Sequence, residues 1–428
     1  MNTLEYYSQK EIQQEIANSA KDREIGVMYG KDQFGKRPDV IQFSSDVGEF
    51  AKQGATSFHI SEEHWHNPLN LATGMTIAKL NELRKGWDLI LDIDTKSFEL
   101  AKLTTILLID ALKFHDVKNF SVKFSGSKGF HIGVPFNAFP KTVNGEDTNL
   151  LFPTASRTMA AYLQEMIREP LVASILEKFS INDLAKATEK KAVEFVKEDK
   201  LDPFAIIDID TLLISSRHMF RAPYSLNEKS NLVSVPIRPD EVAGFNKESA
   251  KPENVKVKEH FLNFEPQEKE ARNLIIQAFD WESKQQKRED LVPKKKATYE
   301  DLKFAIKEEY FPPCIKTILA GVKDDGRKRS LFVLLNFLKT VGWSKDEINK
   351  RIHEWNEKNY EPLKEGYIQA QLNWHARQAE KVLPANCDNA NYYKSLLICE
   401  PDNWCSKIKN PANYAIRKLR VLVKNKKT

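Results

Sequence analysis

Apolar positions alternate with polar ones, or run together in short blocks, through most of the first 280 residues, and pass to three- and four-residue spacing in the last third. The first pattern predicts strands mixed with helices, the second a mostly helical domain. Trp87 to Asp94 (WDLILDID) predicts an apolar strand, and Asn119 to Phe136 (NFSVKFSGSKGFHIGVPF) predicts strand, tight turn, strand. Phe204 to Ile237 opens on a further apolar strand. Between Asn149 and Asp202, TASRTMAAYLQEMI and Asn182 to Val196 predict helices, with Lys190 and Lys191 on solvated faces. Further on, Tyr299 to Ile306, Arg329 to Thr340, Lys345 to Asn359 and Tyr367 to Ala379 predict helices, with no strand among them. Trp281 to Ala297 is about half charged and carries Pro293 among lysines, a composition that buries too little apolar surface to pack. The expected class is α+β: a mixed-sheet domain over 1–280 with a helical insertion at about 149–202, a linker over 281–298, and a helical domain over 299–428.

At 428 residues the chain is long enough for two to four domains, and 41% hydrophobic residues with 24 Phe, 12 Tyr and 7 Trp exclude a wholly disordered one. Apolar stretches such as Leu103 to Leu112 break far short of the ~20 residues a membrane span needs, so no membrane anchoring is expected. Met-Asn-Thr-Leu-Glu-Tyr-Tyr lacks the basic start and apolar centre of a secretory signal, which gives the expectation of a cytoplasmic protein. A net charge of +5 permits a nucleic-acid partner without demanding one. The four cysteines, Cys314, Cys387, Cys399 and Cys405, all fall in the last third, the number that fills a four-thiolate zinc or iron-sulfur site. Four unrelated buried thiols are the plainer reading.

Asp92 and Asp94 stand two apart at a strand end, so they share a face, and a divalent cation is the usual relief for paired carboxylates. Capping a turn is the plainer role. In Ser125-Gly126-Ser127-Lys128-Gly129 the glycines permit close backbone approach, while hydroxyls, amides and one ammonium suit phosphate oxygens; His131 follows. Asp208 and Asp210 repeat the same-face spacing, with Arg217, His218 and Arg221 beside them to supply positive charge for phosphates. A surface salt-bridge cluster is the plainer alternative.

At these three blocks the sequence resembles the archaeo-eukaryotic primase family, in particular its small catalytic subunit. LILDID matches the family's first motif, with Asp92 and Asp94 at its metal ligands. Ser125-Gly126-Ser127-Lys128-Gly129-Phe130-His131 matches the second, whose serine, basic residue and histidine bind nucleotide phosphates in that family. The third stands as Asp208 or Asp210, followed by Arg221-Ala222-Pro223 and Ser234-Val235-Pro236. Asp22-Arg23-Glu24 and SFHISEEHWHNP are similar to the family's N-terminal segments, so the resemblance spans most of Met1 to Glu265. Three departures stand out: Ser127 where the family often has a second basic residue, Asn227 where many relatives have His, and no cysteine in this domain for the usual zinc knuckle.

The last third resembles the iron-sulfur domain of the primase large subunit. Phe311-Pro312-Pro313-Cys314, Gly321 with the basic run Lys323 to Arg329, Leu383-Pro384-Ala385-Asn386-Cys387, Cys399, Cys405 and Ile408-Lys409-Asn410-Pro411 occur in that order. Together the halves resemble a single-chain fusion of the two subunits.

The resemblance implies a DNA primase, making short primers de novo on a single-stranded DNA template from NTPs or dNTPs. It implies Mg²⁺ or Mn²⁺ held by Asp92, Asp94 and Asp208 or Asp210, and a nucleotide site of Ser125, Gly126, Ser127, Lys128, His131, Arg217, His218 and Arg221. A [4Fe-4S] cluster, with zinc as the alternative, would sit on the four cysteines. Lys323, Arg327, Lys328 and Arg329 would grip the initiating nucleotide, with Tyr392 or Trp404 stacking on a base. The implied partners are template, primer-template duplex and a replicative helicase or polymerase of a primosome, with the chain active as a monomer. Two rivals stay open: a repair or translesion primase-polymerase of the same fold, and a nonenzymatic nucleic-acid-binding zinc protein.

Overall fold

The computed structural model describes residues 1–30, 33–197, 200–210, 214–262, 266, 269–291, 305–322, 326–377, 382–387, 389, 392–393, 396, 398–405 and 408–425. The chain divides into two compact units, Met1–Pro293 and Lys294–Thr428. The fold is α+β, with antiparallel sheets in the first unit and, among the described residues, helices without strands in the second. No described helix is long and apolar enough to cross a membrane.

The first unit opens with α1 (Thr3–Tyr7), α2 (Lys10–Ala20), β1 (Ile25–Tyr29), β2 (Gln33–Phe34), α3 (Ser44–Lys52) and β3 (Ala55–Ser61). β4 (Glu63–Trp65) pairs with β5 (Arg84–Trp87) around α4 (Ile77–Leu83), and β6 (Leu89–Asp94), α5 (Phe98–Phe114), β7 (Ser121–Phe124) and β8 (Phe130–Val134) follow. A small hairpin, β9 (Thr142–Val143) and β10 (Glu146–Asp147), leads into α6 (Thr154–Lys178), α7 (Ile181–Thr188) and α8 (Ala192–Phe195). A second hairpin, β11 (Val196–Lys197) and β12 (Lys200–Leu201), precedes β13 (Asp208–Ile209), β14 (Met219–Arg221), β15 (Pro236–Ile237) and α9 (Arg272–Leu291).

Two sheets matter for the site, ordered β14-β3-β1-β2 and β13-β6-β8-β7-β15. Strand alternation divides β6 between two cores. Leu89, Leu91 and Ile93 pack with Val122, Phe124, Phe130, Ile132, Val134 and the buried faces of α5 and α6, whereas Ile90 joins Ile25, Val27, Phe58, Ile60 and Phe220. Burying β6 on both sides fixes its backbone rigidly, and only its last even positions, Asp92 and Asp94, come out of the core.

α6 continues past Pro170. An interior proline costs about 3 kcal/mol, and burying Leu171 and Ile175 beyond it, at about 1.5–3 kcal/mol each, offsets that loss. The stretch expected as an apolar strand before Asp208 is instead a 3-10 turn, Pro203–Ala205, started by the proline, and only Asp208–Ile209 pair as a strand. The linker expected from residue 281 also differs, because α9 continues to Leu291. Leu274, Ile275 and Ala278 anchor the helix in the core, Trp281 lies 5.9 Å from the Tyr162 ring, and Thr158 Oγ1 donates to Glu282 Oε1 at 3.0 Å. Lys, Gln and Glu are good helix formers, so a charged run propagates a helix whose first turns are held. The rest of that linker, and residues 299–304 of the next expected helix, lie outside the described residues.

The second unit contains α10 (Pro313–Leu319), α11 (Arg327–Thr340), α12 (Lys345–Asn356), α13 (Glu365–Arg377) and α14 (Pro411–Asn425). Phe311, Ile315, Leu334, Phe337, Leu338, Trp355, Ile368, Tyr393 and Ala412 form its core, with the Phe311 and Phe337 rings edge to face at 4.7 Å.

Candidate active site

Antiparallel register sets Asp92 opposite His131 and His131 opposite Lys123, and sets Asp208 opposite Asp94. Opposed residues of an antiparallel pair share a face. Since Leu91, Ile93 and Ile132 point into the core, these five side chains stand together on the other face. His131 Nε2 lies 3.3 Å from Asp92 Oδ1. Asp210 donates its backbone N–H to the Asp92 carbonyl at 3.1 Å, and its Oδ2 is 3.8 Å from His218 Nε2. Thus four of the aspartates and two of the histidines expected from sequence meet at one end of β6.

Their electrostatics are those of crowded carboxylates. Burial raises Asp94 above the usual range and the charge of Asp92 raises it further, against Lys128. Asp208 is raised by burial and then by Asp210, Asp92 and Asp94. Asp92 goes the other way: burial raises it, but the charge and hydrogen bond of His131, with Lys123 and His218, bring it below the usual range. Burial and Lys123 hold His131 below its ordinary value against the pull of Asp92. An all-oxygen donor set under mutual repulsion fits a hard divalent cation such as Mg²⁺ or Mn²⁺. Among the described residues no group of three His, Cys, Asp or Glu side chains is close enough to hold one ion, so binding requires the carboxylates to rotate inward.

The turn between β7 and β8 is tied to a neighbouring hairpin. Ser125 N–H donates to the Gly129 carbonyl at 3.0 Å, and Gly126 has φ +90, a conformation that favours glycine. Ser230 Oγ donates to the Gly126 carbonyl at 2.5 Å, and the buried Asn227 accepts at Oδ1 from the N–H groups of Lys229 and Ser230. Asn227 is thereby committed to shaping the loop under the turn. Lys128 is exposed and lines a cavity of about 480 Å³ with Asp94, Asp208, Lys96 and Lys190. The last two lysines escape sequence reasoning, because nothing local marks them as facing the carboxylates.

The remaining cations are less available than their spacing suggests. Arg217 is bound to Glu24 through Nε at 2.8 Å and Nη2 at 2.5 Å, and Arg37 shares that carboxylate. Arg221 Nη1 donates to Glu228 Oε2 at 2.7 Å and to the Leu226 carbonyl at 2.9 Å. His218 Nδ1 is 2.8 Å from Glu62 Oε1; burial lowers this histidine, but that hydrogen bond and the charges of Glu62, Asp210 and Asp92 raise it overall. Behind the site lie buried ion pairs that the sequence does not announce, Arg23 with Asp88 and Arg84 with Glu63. Lys123 is missed as well: fully buried, it donates to Ser234 Oγ at 2.8 Å, its ammonium 5.6 Å from the Phe220 ring centre and 5.4 Å from that of Phe261.

In the second unit Cys314, Cys387, Cys399 and Cys405 line one cavity of about 440 Å³ with Tyr393, Asp402 and Pro312. Burial pushes the Cys314 thiol up, and Cys387, Cys405 and Cys399 push it further, as expected of thiols sharing one space. Cys387 N–H donates to the Lys409 carbonyl at 2.9 Å, and the Asn410 amide donates to the Pro384 carbonyl at 2.6 Å, joining the segment that carries Cys387 to the one before α14, while Cys314 comes from α10. Arg327 bonds Glu361 and Lys328 lies 5.2 Å from the Tyr367 ring, so both are engaged within the unit. Arg329 follows them in the first turn of α11. Tyr392 leans on Phe332 and Trp404 on Tyr414. Lys323 lies outside the described residues.

Residues 90–239, which contain Asp92, the Ser125–Gly129 turn, His131, Asp208, Asp210 and Arg221, match the family described as DNA primase small subunit. The first unit carries a primase small-subunit-like domain. The chain is 29% identical over 177 residues to the DNA primase small subunit PriS of Pyrobaculum aerophilum, covering 36% of this chain and 54% of that protein. It thus spans about half the length of this curated relative. Among solved structures it is similar to the polymerase domain of Mycobacterium tuberculosis Ligase D in complex with DNA, at 15% identity and a TM-score of 0.36, covering 65% of this chain and 88% of that one. It is also similar to the primase RepB′, at 12% identity and a TM-score of 0.31, covering 87% and 95%. At those scores neither likeness bears on the reaction.

Proposed function

We propose that this chain is a primase-type nucleotidyltransferase that starts primers de novo on single-stranded DNA, and that its second unit holds a four-thiolate cluster needed for initiation. The observation that carries the reading is the row Asp92, His131 and Lys123 across three strands, with Asp94 and Asp208 beside it and the Ser125–Gly129 turn at its edge, inside the segment that matches the primase small subunit.

Mg²⁺ or Mn²⁺ held by Asp92, Asp94 and Asp208 or Asp210 would lower the pKa of an attacking 3′-hydroxyl and neutralise charge on the departing pyrophosphate. The protein's own groups bind and orient. Lys128, Lys96 and Lys190 present positive charge to a triphosphate from the cavity wall, and the Ser125–Gly129 turn brings hydroxyls and backbone close to its oxygens. His131 stands 3.3 Å from Asp92 Oδ1 and orients that carboxylate. Arg221 reaches a phosphate by exchanging Glu228 for it. Catalysis of this kind is mainly positioning and electrostatics.

In the second unit, four thiols around one cavity supply the donor set of an iron-sulfur cluster. The unit's role in initiation would rest on Lys323, Arg327, Lys328 and Arg329 for the first nucleotide, with Tyr392 or Trp404 against a base.

The test is incorporation of labelled NTPs or dNTPs on unprimed single-stranded DNA with Mg²⁺ or Mn²⁺. Short products from unprimed template are expected. Extension of a supplied primer alone would instead indicate a repair or translesion primase-polymerase, and no incorporation with any metal would leave a nonenzymatic nucleic-acid-binding protein.

A further inference from the structure

A cavity of about 650 Å³ opens at the other end of β6 from the carboxylate row, within the size range of sites for small organic ligands. Asp88, which lines it, precedes Asp92 by four residues, or about 13 Å of extended chain. The floor is closed on itself. Asp88 Oδ2 takes Arg23 and His64 Nε2, the latter at 3.0 Å; its Oδ1 takes the Phe136 N–H at 2.8 Å, and Arg23 Nη1 donates to the Ser61 carbonyl at 2.7 Å. One wall is apolar, built of Ile60, Phe261, Leu262 and the half-buried Phe136. The Phe136 ring lies against Gly86, where an added methyl group would meet its Cδ1 at 2.5 Å, so β5 holds that ring in place. The exposed residues at the rim are cationic or carry amides: Lys21, Lys85, Asn18 and Asn137. Against these two ammoniums stands one carboxylate at the rim, Asp22, which accepts from Lys85 at 2.7 Å. Phe261 stands where this cavity and the catalytic face meet, its ring centre 5.4 Å from the Lys123 ammonium and 6.0 Å from the Phe220 ring.

An apolar aromatic wall inside and a cationic, amide-bearing rim outside suit a ligand that is aromatic at one end and anionic at the other. We propose that this cavity is a second nucleotide site, taking a free nucleoside phosphate with its base against Phe136 and Phe261 and its phosphates at Lys21 and Lys85. An aromatic ring stacks with any base, and the amides of Asn18 and Asn137 offer hydrogen bonds at the rim. Lys85 reaches a phosphate by releasing Asp22, and an exposed ion pair of that kind contributes little. Neither the carboxylate row nor the second unit contributes a residue, so the site stands apart from the reaction proposed above.

Photolabelling of the full-length protein with radiolabelled 8-azido-ATP tests it, in EDTA so that no divalent cation bridges the nucleotide to the carboxylates. Peptide mapping should place the label in the segments holding Phe136 or Phe261, and unlabelled ATP should displace it. Lys21→Ala combined with Lys85→Ala should cut that labelling about tenfold or more, because charge-assisted contacts to phosphate are the strong ones. This double variant parts only an exposed ion pair and should fold like the parent. Asn137→Trp leaves the charge unchanged but fills the mouth, and should abolish the label. Lys128→Ala, in the catalytic cavity, should leave the label within about twofold of the parent. The proposal falls if no saturable label reaches those segments, or if labelling there survives the lysine substitutions or Asn137→Trp. Label displaced by a single-stranded oligonucleotide but not by ATP would overturn it too, and would make the cavity part of a strand-binding groove.

Discussion

Gly129 closes the turn before β8, and a methyl group there would meet the Ile93 carbonyl oxygen at 1.7 Å, where ordinary contact begins at 3.4 Å. The conflict in Gly129→Ala is therefore between two strands, and it is relieved only by pushing β8 off β6 by more than ~1 Å, beyond hydrogen-bonding range at that end. The pairs that part first are Ile93 with Phe130 and Asp92 with His131. Losing two backbone hydrogen bonds at about 1 kcal/mol each, with some burial of Ile93 and Phe130, comes to about 3 kcal/mol, or a fall in Tm of about 6–12 °C. His131 would also leave Asp92, now 3.3 Å away, and a displacement of ~1 Å at a catalytic group can lower kcat about 100-fold. Calorimetry and nucleotide incorporation should be run beside Gly244→Ala, whose added methyl meets nothing within 4 Å and should change stability by less than about 0.5 kcal/mol. Gly129→Ala melting with the parent and incorporating at the parental rate would refute the close strand approach under the carboxylates.

Asp92→Ala or Asp94→Ala should bring incorporation to about 1% of parent or less while single-stranded DNA affinity, read by fluorescence anisotropy, stays within about twofold. Asp88→Asn strands Arg23 as a buried unpaired cation and should destabilise by about 3–5 kcal/mol in denaturant melts at pH 7. Burial raises Asp88, but His64 and Arg23 hold it well below the carboxylate range, so its contribution is present above about pH 4 and is lost as the pH falls below that; the gap between parent and variant should shrink in acid. In metal-free protein the exposed Cys399 should react first with a thiol reagent and Cys314 last, since burial and its neighbours keep it protonated. Equal rapid reaction of all four would contradict the shared cavity. Protein purified without oxygen should be brown and contain iron, and a colourless zinc-containing preparation would decide for the other metal.

Period-two alternation makes Asp92 and Asp94 legible because the pleat itself sets the face, and two glycines around Ser-Lys mark the turn. Lys123 is illegible for the same reason: in SVKF it reads as a solvent-facing residue, and only Phe220 and Phe261, far along the chain, make its position a buried one. Arg217 looks like a phosphate ligand in sequence because nothing near it predicts Glu24, which reaches it from the other end of the unit. Asp208 is visible as an acid, yet Pro203 replaces the strand before it with a turn. The limits of α9 are set by burial of Leu274, Ile275 and Ala278, which outweighs the charged composition of its second half.

The long reach of the first unit's contacts has a consequence in time. Tyr6 on α1 donates its hydroxyl to the Tyr224 carbonyl across 218 residues, and Tyr7 accepts the N–H of Leu226. At about 5–20 residues per second, synthesis separates the emergence of these partners by about 10–40 s. β13 and β15, the edge strands beside the carboxylate row, are also made late, after the insertion carrying α6 to α8. Through that interval α1 lacks its partners at Tyr224 and Leu226, and β6 has β8 beside it but not β13. Asp208 and Asp210 therefore follow Asp92 and Asp94 out of the ribosome by more than a hundred residues, and the four carboxylates can come together only after the whole insertion has been made.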